Sequence, residues 1–261
     1  MPLHEVEKNI VGIIPAAGRG SRLYPYPGAK ELFPVGFQDI CVKNQIEKRP
    51  KVISQYLIEN IVKAGAKRLF VIIGEGKHDI MSYYGDGHRF GVEIVYLFQE
   101  DLYGMPFAIN LAKNLVKDST VIFGMPDTII EPNDVFLRLV NFHFSKKSDL
   151  TLGLFRTDNA EKFGMVDIDE KNKVTYIIDK PKETSLEYMW GCACWSASFS
   201  NLLDEYLEVH PYFGKEIVLG DVFTSAIENG LLVRGFIFDD GQYIDIGTAD
   251  ELNAALKKFH L

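Results

Sequence analysis

Short β-branched apolar runs alternate along this chain with longer segments of helical period, and no other feature limits its fold so tightly. Runs at Ile10 to Ile14, Leu69 to Ile73, Val92 to Leu97 and Thr120 to Phe123 read as strands. Between them, Ile53, Leu57, Ile61 and Ala64 recur at helical spacing, so a helix is expected over Val52 to Ala64, stopping near Gly65. A second helix begins at Pro106, in an N1-like position, and runs to about Leu115. A third covers Pro132 to about Phe144, followed by a strand from Leu150 to Phe155. After Arg156 the texture changes: "FGMVDIDEKNKVTYIIDKP" reads as two strands around the polar turn Asp169 to Lys173. A helix at Ser198 to Glu208, a strand at Val233 to Phe238 and a terminal helix at Ala249 to Phe259 complete the pattern. Such alternation belongs to an α/β fold in which a mixed, mostly parallel sheet is flanked by helices. No Gly/Ser/Pro-rich linker, internal repeat or low-complexity stretch interrupts it, so residues 1–261 read as a single domain with a differentiated second half.

Composition narrows the partners. With 36 Asp+Glu against 28 Lys+Arg the formal charge is −8, the wrong sign for a general nucleic-acid binder. A small anionic ligand gripped by a few local cations remains compatible. Cys41, Cys192 and Cys194 cannot all pair, and Cys-x-Cys lacks the common zinc and redox spacings, so the thiols read as reduced, in a cytoplasmic protein. The opening "MPLHEVEKNIVGII" carries charges where a signal peptide needs an apolar run, and no stretch approaches the roughly 18 apolar residues of a membrane span. His78, His88, His143 and His210 show no ligand spacing and are expected at the surface or at caps.

Three features carry candidate chemistry. "PAAGRGSRLYPYPGAKELFPVG" follows the first strand, where open α/β sheets bind ligands. Gly18 and Gly20 would let backbone N–H groups approach a phosphate, and Arg22 and Lys30 would converge on an oligophosphate; glycines alone fit a flexible turn equally well. The loop is neither a Walker P-loop nor Gly-x-Gly-x-x-Gly. In "VIFGMPDT", Asp127 lies just past an apolar strand, as a Mg²⁺ ligand would, though an Asp there also serves as a helix N-cap or turn former. In "DDGQYIDIGT", Asp245 ends a short apolar stretch, as a second ligand or as part of a solvated turn. Two carboxylates from distant sequence, facing a Gly/Arg/Lys loop, compose the parts of metal-assisted phosphoryl or nucleotidyl transfer.

The loop closely resembles the signature of the sugar nucleotidyltransferases, Gly-x-Gly-[Thr/Ser]-Arg-[Leu/Met]-x-Pro followed by Lys-x-[Leu/Met]-x-Pro-[Val/Ile]. Gly18, Gly20, Ser21, Arg22, Leu23 and Pro25 match its first part, and Lys30, Leu32, Pro34 and Val35 its second. "YYGDGHRFGVEIVYLFQEDLYGMPFAI" is similar to the family's Gly-Asp-Gly, Phe-Gly and Gln-x-x-x-x-Gly-x-x-x-Ala stretch, "FGMVDID" to its Tyr-Gly-Val-Val sugar loop, and "DKP" to its Glu-Lys-Pro. The resemblance implies a Rossmann-like, GT-A-like domain with a nucleotide-binding half over about 1–130. The sugar-phosphate half, over about 131–261, would include a β-hairpin sugar-binding subregion. It implies that Ala16, Ala17, Gly18, Gly20, Ser21, Gln99 and Gly104 meet the nucleotide, and that Gly164, Asp179, Lys180 and Gly191 meet the sugar phosphate. Asp127 and Asp245 would bind Mg²⁺, while Arg22 and Lys30 act as the catalytic cations.

The implied reaction joins a nucleoside triphosphate and a sugar 1-phosphate into a nucleotide sugar and pyrophosphate. It proceeds by in-line attack on the α-phosphorus and needs no general base, because the nucleophile is already an anion. Glucose 1-phosphate with dTTP or UTP is the nearest pairing; a cytidylyltransferase of the same fold and a catalytically silent sugar-nucleotide sensor are the alternatives. Homo-oligomers are common in the family. The chain departs from the family pattern in three places. Gly124-Met125-Pro126-Asp127-Thr128 forms a longer turn, Tyr243 replaces the usual tryptophan, and "HPYFGKEIVLGD" has Lys215 where an arginine often assists the sugar phosphate. "FQDICVKNQIEK", Phe37 to Lys48, reads as an inserted surface loop, a lid or a protein contact. Tyr24, Tyr26 and Pro27 are expected to shape the phosphate loop rather than touch the chemistry. No β-helix repeats follow the last helix, so a second, acyltransferase activity is not expected.

Overall fold

A computed structural model describes residues 9–23, 25–26 and 28–259. The charged N-terminal segment Met1 to Lys8 and the loop residues Tyr24 and Pro27 lie outside the described residues. The elements in chain order are β1 (Ile10–Pro15), β2 (Pro34–Val42), β3 (Gln45–Val52), α1 (Ile53–Lys63), β4 (Arg68–Ile73), α2 (His78–Tyr84) and β5 (Glu93–Phe98). Next come α3 (Met105–Asn110), β6 (Thr120–Gly124), β7 (Thr128–Glu131), α4 (Val135–Lys146), β8 (Leu150–Arg156), β9 (Gly164–Ile168) and β10 (Val174–Asp179). The chain closes with β11 (Tyr188–Trp195), α5 (Ala197–Val209), α6 (Leu219–Glu228), β12 (Val233–Ile237), β13 (Gln242–Asp245) and α7 (Ala249–Lys258).

β1 is the middle of the main sheet because its residues are buried on both faces. Ile10 and Ile14 point into the core shared with α1 and α4, and Val11 and Ile13 into the core shared with α3, α5 and α6, the period-2 alternation of a covered strand. It pairs in parallel with β4 and β6, and β5 continues beyond β4. The chain leaves β1 toward β4 and returns as β6 on the other side, which makes the carboxyl edge between β1 and β6 the point where strand order reverses. β11 runs antiparallel to β6 and joins this parallel nucleus to β9–β10 and β8–β12. The mixed sheet flanked by helices is the expected one.

β11 was hidden from periodicity because both its faces are covered. Met189, Cys192 and Cys194 enter one core and Trp190, Ala193 and Trp195 the other, with a register irregularity around Gly191 between Trp190 and Cys192. Burial pushes the Cys192 and Cys194 thiols well above their usual range, as structural thiols require; Cys41 is exposed.

Several boundaries are corrected. Phe37 to Lys48 is no irregular loop: β2 and β3 pair through it as a two-residue hairpin, with Lys43 and Asn44 both at positive φ. α3 ends at Asn110 rather than Leu115, because the next amides bond three residues back in successive tight turns. α4 begins at Val135, Pro132 to Asp134 being spent on a turn whose Pro132 carbonyl accepts the Val135 amide. His143 is neither at the surface nor a cap: it is buried on α4, with Nδ1 3.0 Å from Thr151 Oγ1. α2, α6, β7 and β13 complete the set the periodicity did not resolve.

Candidate functional site

Two contiguous clefts open at the carboxyl edge where strand order reverses. The first, about 450 Å³, is lined by Ala17 and Gly18 after β1, by Arg22 and Lys30, and by Gln99, Gly104 and Ala108 from the β5–α3 segment. The second, about 590 Å³, is lined by Gly164, Asp179 and Lys180 of the β9–β10 hairpin, by Trp190, and by Tyr243 and Asp245. Arg22, Met105, Met125, Asp127 and Glu216 line both, so the two clefts meet at one cation, two carboxylates and two thioethers.

A two-stranded sheet brings Asp127 and Asp245 together. β13 pairs antiparallel with β7, setting Asp245 opposite Thr128, and the Ile246 amide donates to the Asp127 carbonyl at 3.2 Å. Asp127 caps no helix; Thr128 closes its turn by donating from Oγ1 to the Met125 carbonyl at 2.8 Å. Lys30 sits in a short 3-10 turn, Lys30–Leu32, and its Nζ donates to Asp127. Burial opposes its charge, but Asp127, Glu31 and Asp245 hold its pKa above the usual lysine value. Among the described residues Asp245 has no such cation in contact: burial, then the charges of Asp127 and Glu251, push its carboxyl up to about 6. The Asp245 carboxylate and the Arg22 guanidinium both crowd Gly247, where a Cβ would lie 3.2 Å from Asp245 Oδ1 and 3.3 Å from Arg22 Nη2.

Tyr243, in place of the expected tryptophan, packs edge-on against Phe163 at 5.8 Å and lies over Gly191, where any side chain would strike its ring. Burial, with Asp127 and Asp245 nearby, raises its hydroxyl pKa far above normal. On the other wall, Gly104 at φ +120° backs onto the loop before α6, and a Cβ there would meet the Ile217 carbonyl at 2.7 Å. Asp169 organises the hairpin turn by accepting the Lys171 and Lys173 amides, each at 2.8 Å, which sets Asp179 opposite Gly164 at the cleft end.

Of the residues singled out in sequence, Arg22, Lys30, Ala17, Gly18, Gln99, Gly104, Asp127, Gly164, Asp179, Lys180 and Asp245 all line these clefts. Ala16, Gly20, Ser21, Gly191 and Lys215 are not among the lining residues. Gly20 at φ +65° instead makes the bend that lets the loop pack on the Lys30 stem, and Gly191 makes room for Tyr243. Gly85-Asp86-Gly87 forms the turn between α2 and β5, with Asp86 accepting the His88 amide. Tyr26 packs obliquely on Phe33 with ring centroids 5.1 Å apart, a contact within the loop. Sequence reasoning passed over Glu216, Met105, Met125 and Trp190; Glu216 stood next to the weighed Lys215, but only the fold shows which of the two faces the cleft.

Residues 11–260 match the family model described as Nucleotidyl transferase. The chain is 30% identical over 260 residues to the low-salt glycan biosynthesis nucleotidyltransferase Agl11 of Haloferax volcanii, covering 95% of this chain and 68% of that protein. It is also 30% identical over 258 residues to the bifunctional protein GlmU of Methanococcus maripaludis, covering 94% of this chain and 55% of that protein. The chain thus spans little more than half the length of that relative. In fold it superposes with a TM-score of 0.82 on a crystal structure described as a Bacillus anthracis glucose-1-phosphate thymidylyltransferase in complex with sucrose, at 24% identity, covering 96% of this chain and 95% of that one.

Proposed function

The chain belongs to the nucleotidyl transferase family, and on that premise we propose that it joins a nucleoside triphosphate to a sugar 1-phosphate, releasing pyrophosphate. The observation that carries this reading is the meeting of two clefts at Arg22 and Asp127: one cleft for each substrate, joined where the phosphates must meet. The cleft around Gln99 and Gly104 takes the nucleotide, and the cleft around Gly164, Asp179 and Lys180 takes the sugar phosphate. The division follows the chain, with about 1–130 supplying most of the nucleotide half and about 131–261 most of the sugar-phosphate half.

The chemistry asks for position and charge rather than proton transfer. The sugar phosphate is already an anion, so its oxygen attacks the α-phosphorus in line while the O–P bond to the β-phosphate breaks. Pyrophosphate leaves with that electron pair. Arg22 and Lys30 steady its charge, and Lys180 holds the incoming phosphate by its ammonium. Asp179 accepts from sugar hydroxyls at the hairpin end, and the Ala17 and Gly18 backbone admits the triphosphate closely. Loss of one such preorganised contact is typically worth about 2.7–4 kcal/mol of barrier.

Asp127 and Asp245 are hard oxygen donors, and the raised Asp245 carboxyl marks a negative pair short of positive charge, which fits a divalent cation. Asp127 and Asp245 are the residues that would hold it; among the described residues no group of three or more His, Cys, Asp or Glu stands together. When bound, Mg²⁺ supplies charge neutralisation across the phosphates.

Glucose 1-phosphate with dTTP or UTP is the proposed pairing, in the biosynthesis of nucleotide sugars for glycans or polysaccharides. Among the described residues no helix is long and apolar enough to cross a membrane. The test is a matrix of the common nucleoside triphosphates against several sugar 1-phosphates, scored by pyrophosphate release with Mg²⁺ and with EDTA. Metal-dependent release in one pairing supports the proposal, and silence in every well overturns it in favour of a sensing role.

A further inference from the structure

Beneath the phosphate loop lies a buried ion pair that the proposed chemistry does not use. Lys77 Nζ donates to Glu31 Oε2 at 2.6 Å, with Lys77 5% and Glu31 2% exposed. Burying two charges is expensive, and apolar residues of similar volume would serve packing as well or better, so such a pair points to geometry rather than to stability. Its place in the chain says which geometry. Glu31 is the residue after Lys30, in the same 3-10 turn, and lines the floor of the first cleft.

Two further bonds grip that turn. The Ala29 amide, just before Lys30, donates to Asp79 Oδ2 at 2.8 Å. The Glu31 carbonyl accepts from Ser54 Oγ, which in turn lies 2.6 Å from Tyr84 Oη. The residues on both sides of Lys30 are therefore fastened to the segment that opens α2, through Lys77 and Asp79, and to the first turn of α1, through Ser54. Lys30 itself is left to project its ammonium to Asp127.

We propose that Lys77, Glu31 and Asp79 are positioning residues, which aim Lys30 into the cleft by clamping the turn that carries it. The proposal rests on the nucleotidyl transfer reading for its kinetic consequence, but not for its geometry. A clamp of this kind acts on turnover more than on substrate capture, because a cation misplaced by about 1 Å loses most of its transition-state contact, a cost of up to about 100-fold.

The decisive variant is Glu31→Leu/Lys77→Met, which removes both charges at once and leaves no buried ion unpaired. It is expected to unfold within a few degrees of the wild type while kcat falls about 10- to 100-fold and KM for the sugar phosphate stays within about twofold of wild type. Placed on a Lys30→Ala background, the same double substitution is expected to change nothing further, because its effect runs through Lys30. Unchanged kcat, or a further loss on the Lys30→Ala background, overturns the proposal.

A second readout needs no turnover. In the ligand-free chain, acylation of Lys30 by an N-hydroxysuccinimide ester, read by peptide mass spectrometry, is expected to quicken several-fold in the double variant, and equal rates overturn the clamp. If the wild type releases pyrophosphate from no substrate pair, the functional reading fails, and these acylation rates still decide the clamp. Should the double variant not fold, Asp79→Ala against Asp79→Asn asks the same question. Asparagine keeps an oxygen for the Ala29 amide and is expected to retain wild-type acylation and kcat, while alanine loses both; equal behaviour of the two overturns it.

Discussion

Lys30, from the loop after β1, donates from Nζ to the carboxylate of Asp127, a residue 97 positions later in the chain. The two groups that the proposed reaction needs most therefore neutralise each other. In the proposed reaction a triphosphate would have to take Lys30 from this pair, and a divalent cation would have to take Asp127. Asp127→Asn is expected to separate the two demands. In EDTA it should tighten nucleoside triphosphate binding at least about fivefold, since removing one unit charge at about 4 Å is worth about 1 kcal/mol even in bulk water and more at side chains as covered as these. With Mg²⁺ it should lower turnover at least about 100-fold, on the scale of one lost electrostatic contact. Calorimetry in EDTA beside a pyrophosphate-release assay reads both, and weaker binding in EDTA would show that the pair does not compete with the triphosphate.

Arg22 lines both clefts, is exposed, and approaches the same side of Gly247 as Asp245. Arg22→Ala is expected to lower kcat by two or more orders of magnitude, on the scale of one preorganised contact to developing charge. The unfolding midpoint should stay unchanged, because the side chain is not part of a core. Wild-type kinetics in this variant would remove the loop from the mechanism.

How much of this was legible beforehand divides along chain separation. The parallel nucleus could be read because β1, β4 and β6 are locally apolar and bounded by turn residues, and the Asp169 turn announced the β9–β10 hairpin. Arg22, Lys30 and Lys180 could be singled out as cleft residues because their motifs are local. The pairing of β7 with β13 could not: four-residue strands carry little periodic signal, and no local rule sets the register between Thr128 and Asp245. Yet that pairing is what makes the two aspartates neighbours. β11 was opaque for the opposite reason, being buried on both faces and interrupted at Gly191. Asn44 was the available clue to the β2–β3 hairpin, since both residues of such a turn need positive φ and asparagine, unlike lysine, tolerates it readily.

As a metal ligand in the proposed reaction, Asp245 would tie metal use to pH. Burial and the neighbouring Asp127 raise its carboxyl to about 6, so below that value a proton occupies the oxygen a cation would need. The apparent half-saturating Mg²⁺ concentration is expected to be flat above about pH 7 and to rise toward tenfold per unit below about pH 6. Asp245→Asn should raise the metal requirement at every pH and abolish this slope. A metal titration in the variant that overlays the wild type would remove Asp245 as a ligand.

His143 ties stability to pH. It is 2% exposed on α4 and bonded to Thr151, and burial pushes its imidazole down to about 4 despite the opposing influence of Asp149. An unfolded histidine titrates near 6.5. Between those values the unfolded chain holds a proton that the folded chain does not, so stability is present above about pH 6.5 and erodes as pH falls toward 4. The total reaches about 3 kcal/mol, at about 1.4 kcal/mol per pH unit, before other titrating groups contribute. His143→Asn keeps an amide atom near the position of Nδ1 to meet Thr151 but cannot titrate. Urea midpoints measured from pH 7.5 to 4.5 should therefore fall more steeply in the wild type than in this variant, the two curves converging as the pH drops. Parallel curves would mean that the buried imidazole is protonated as easily in the folded chain as in the unfolded one.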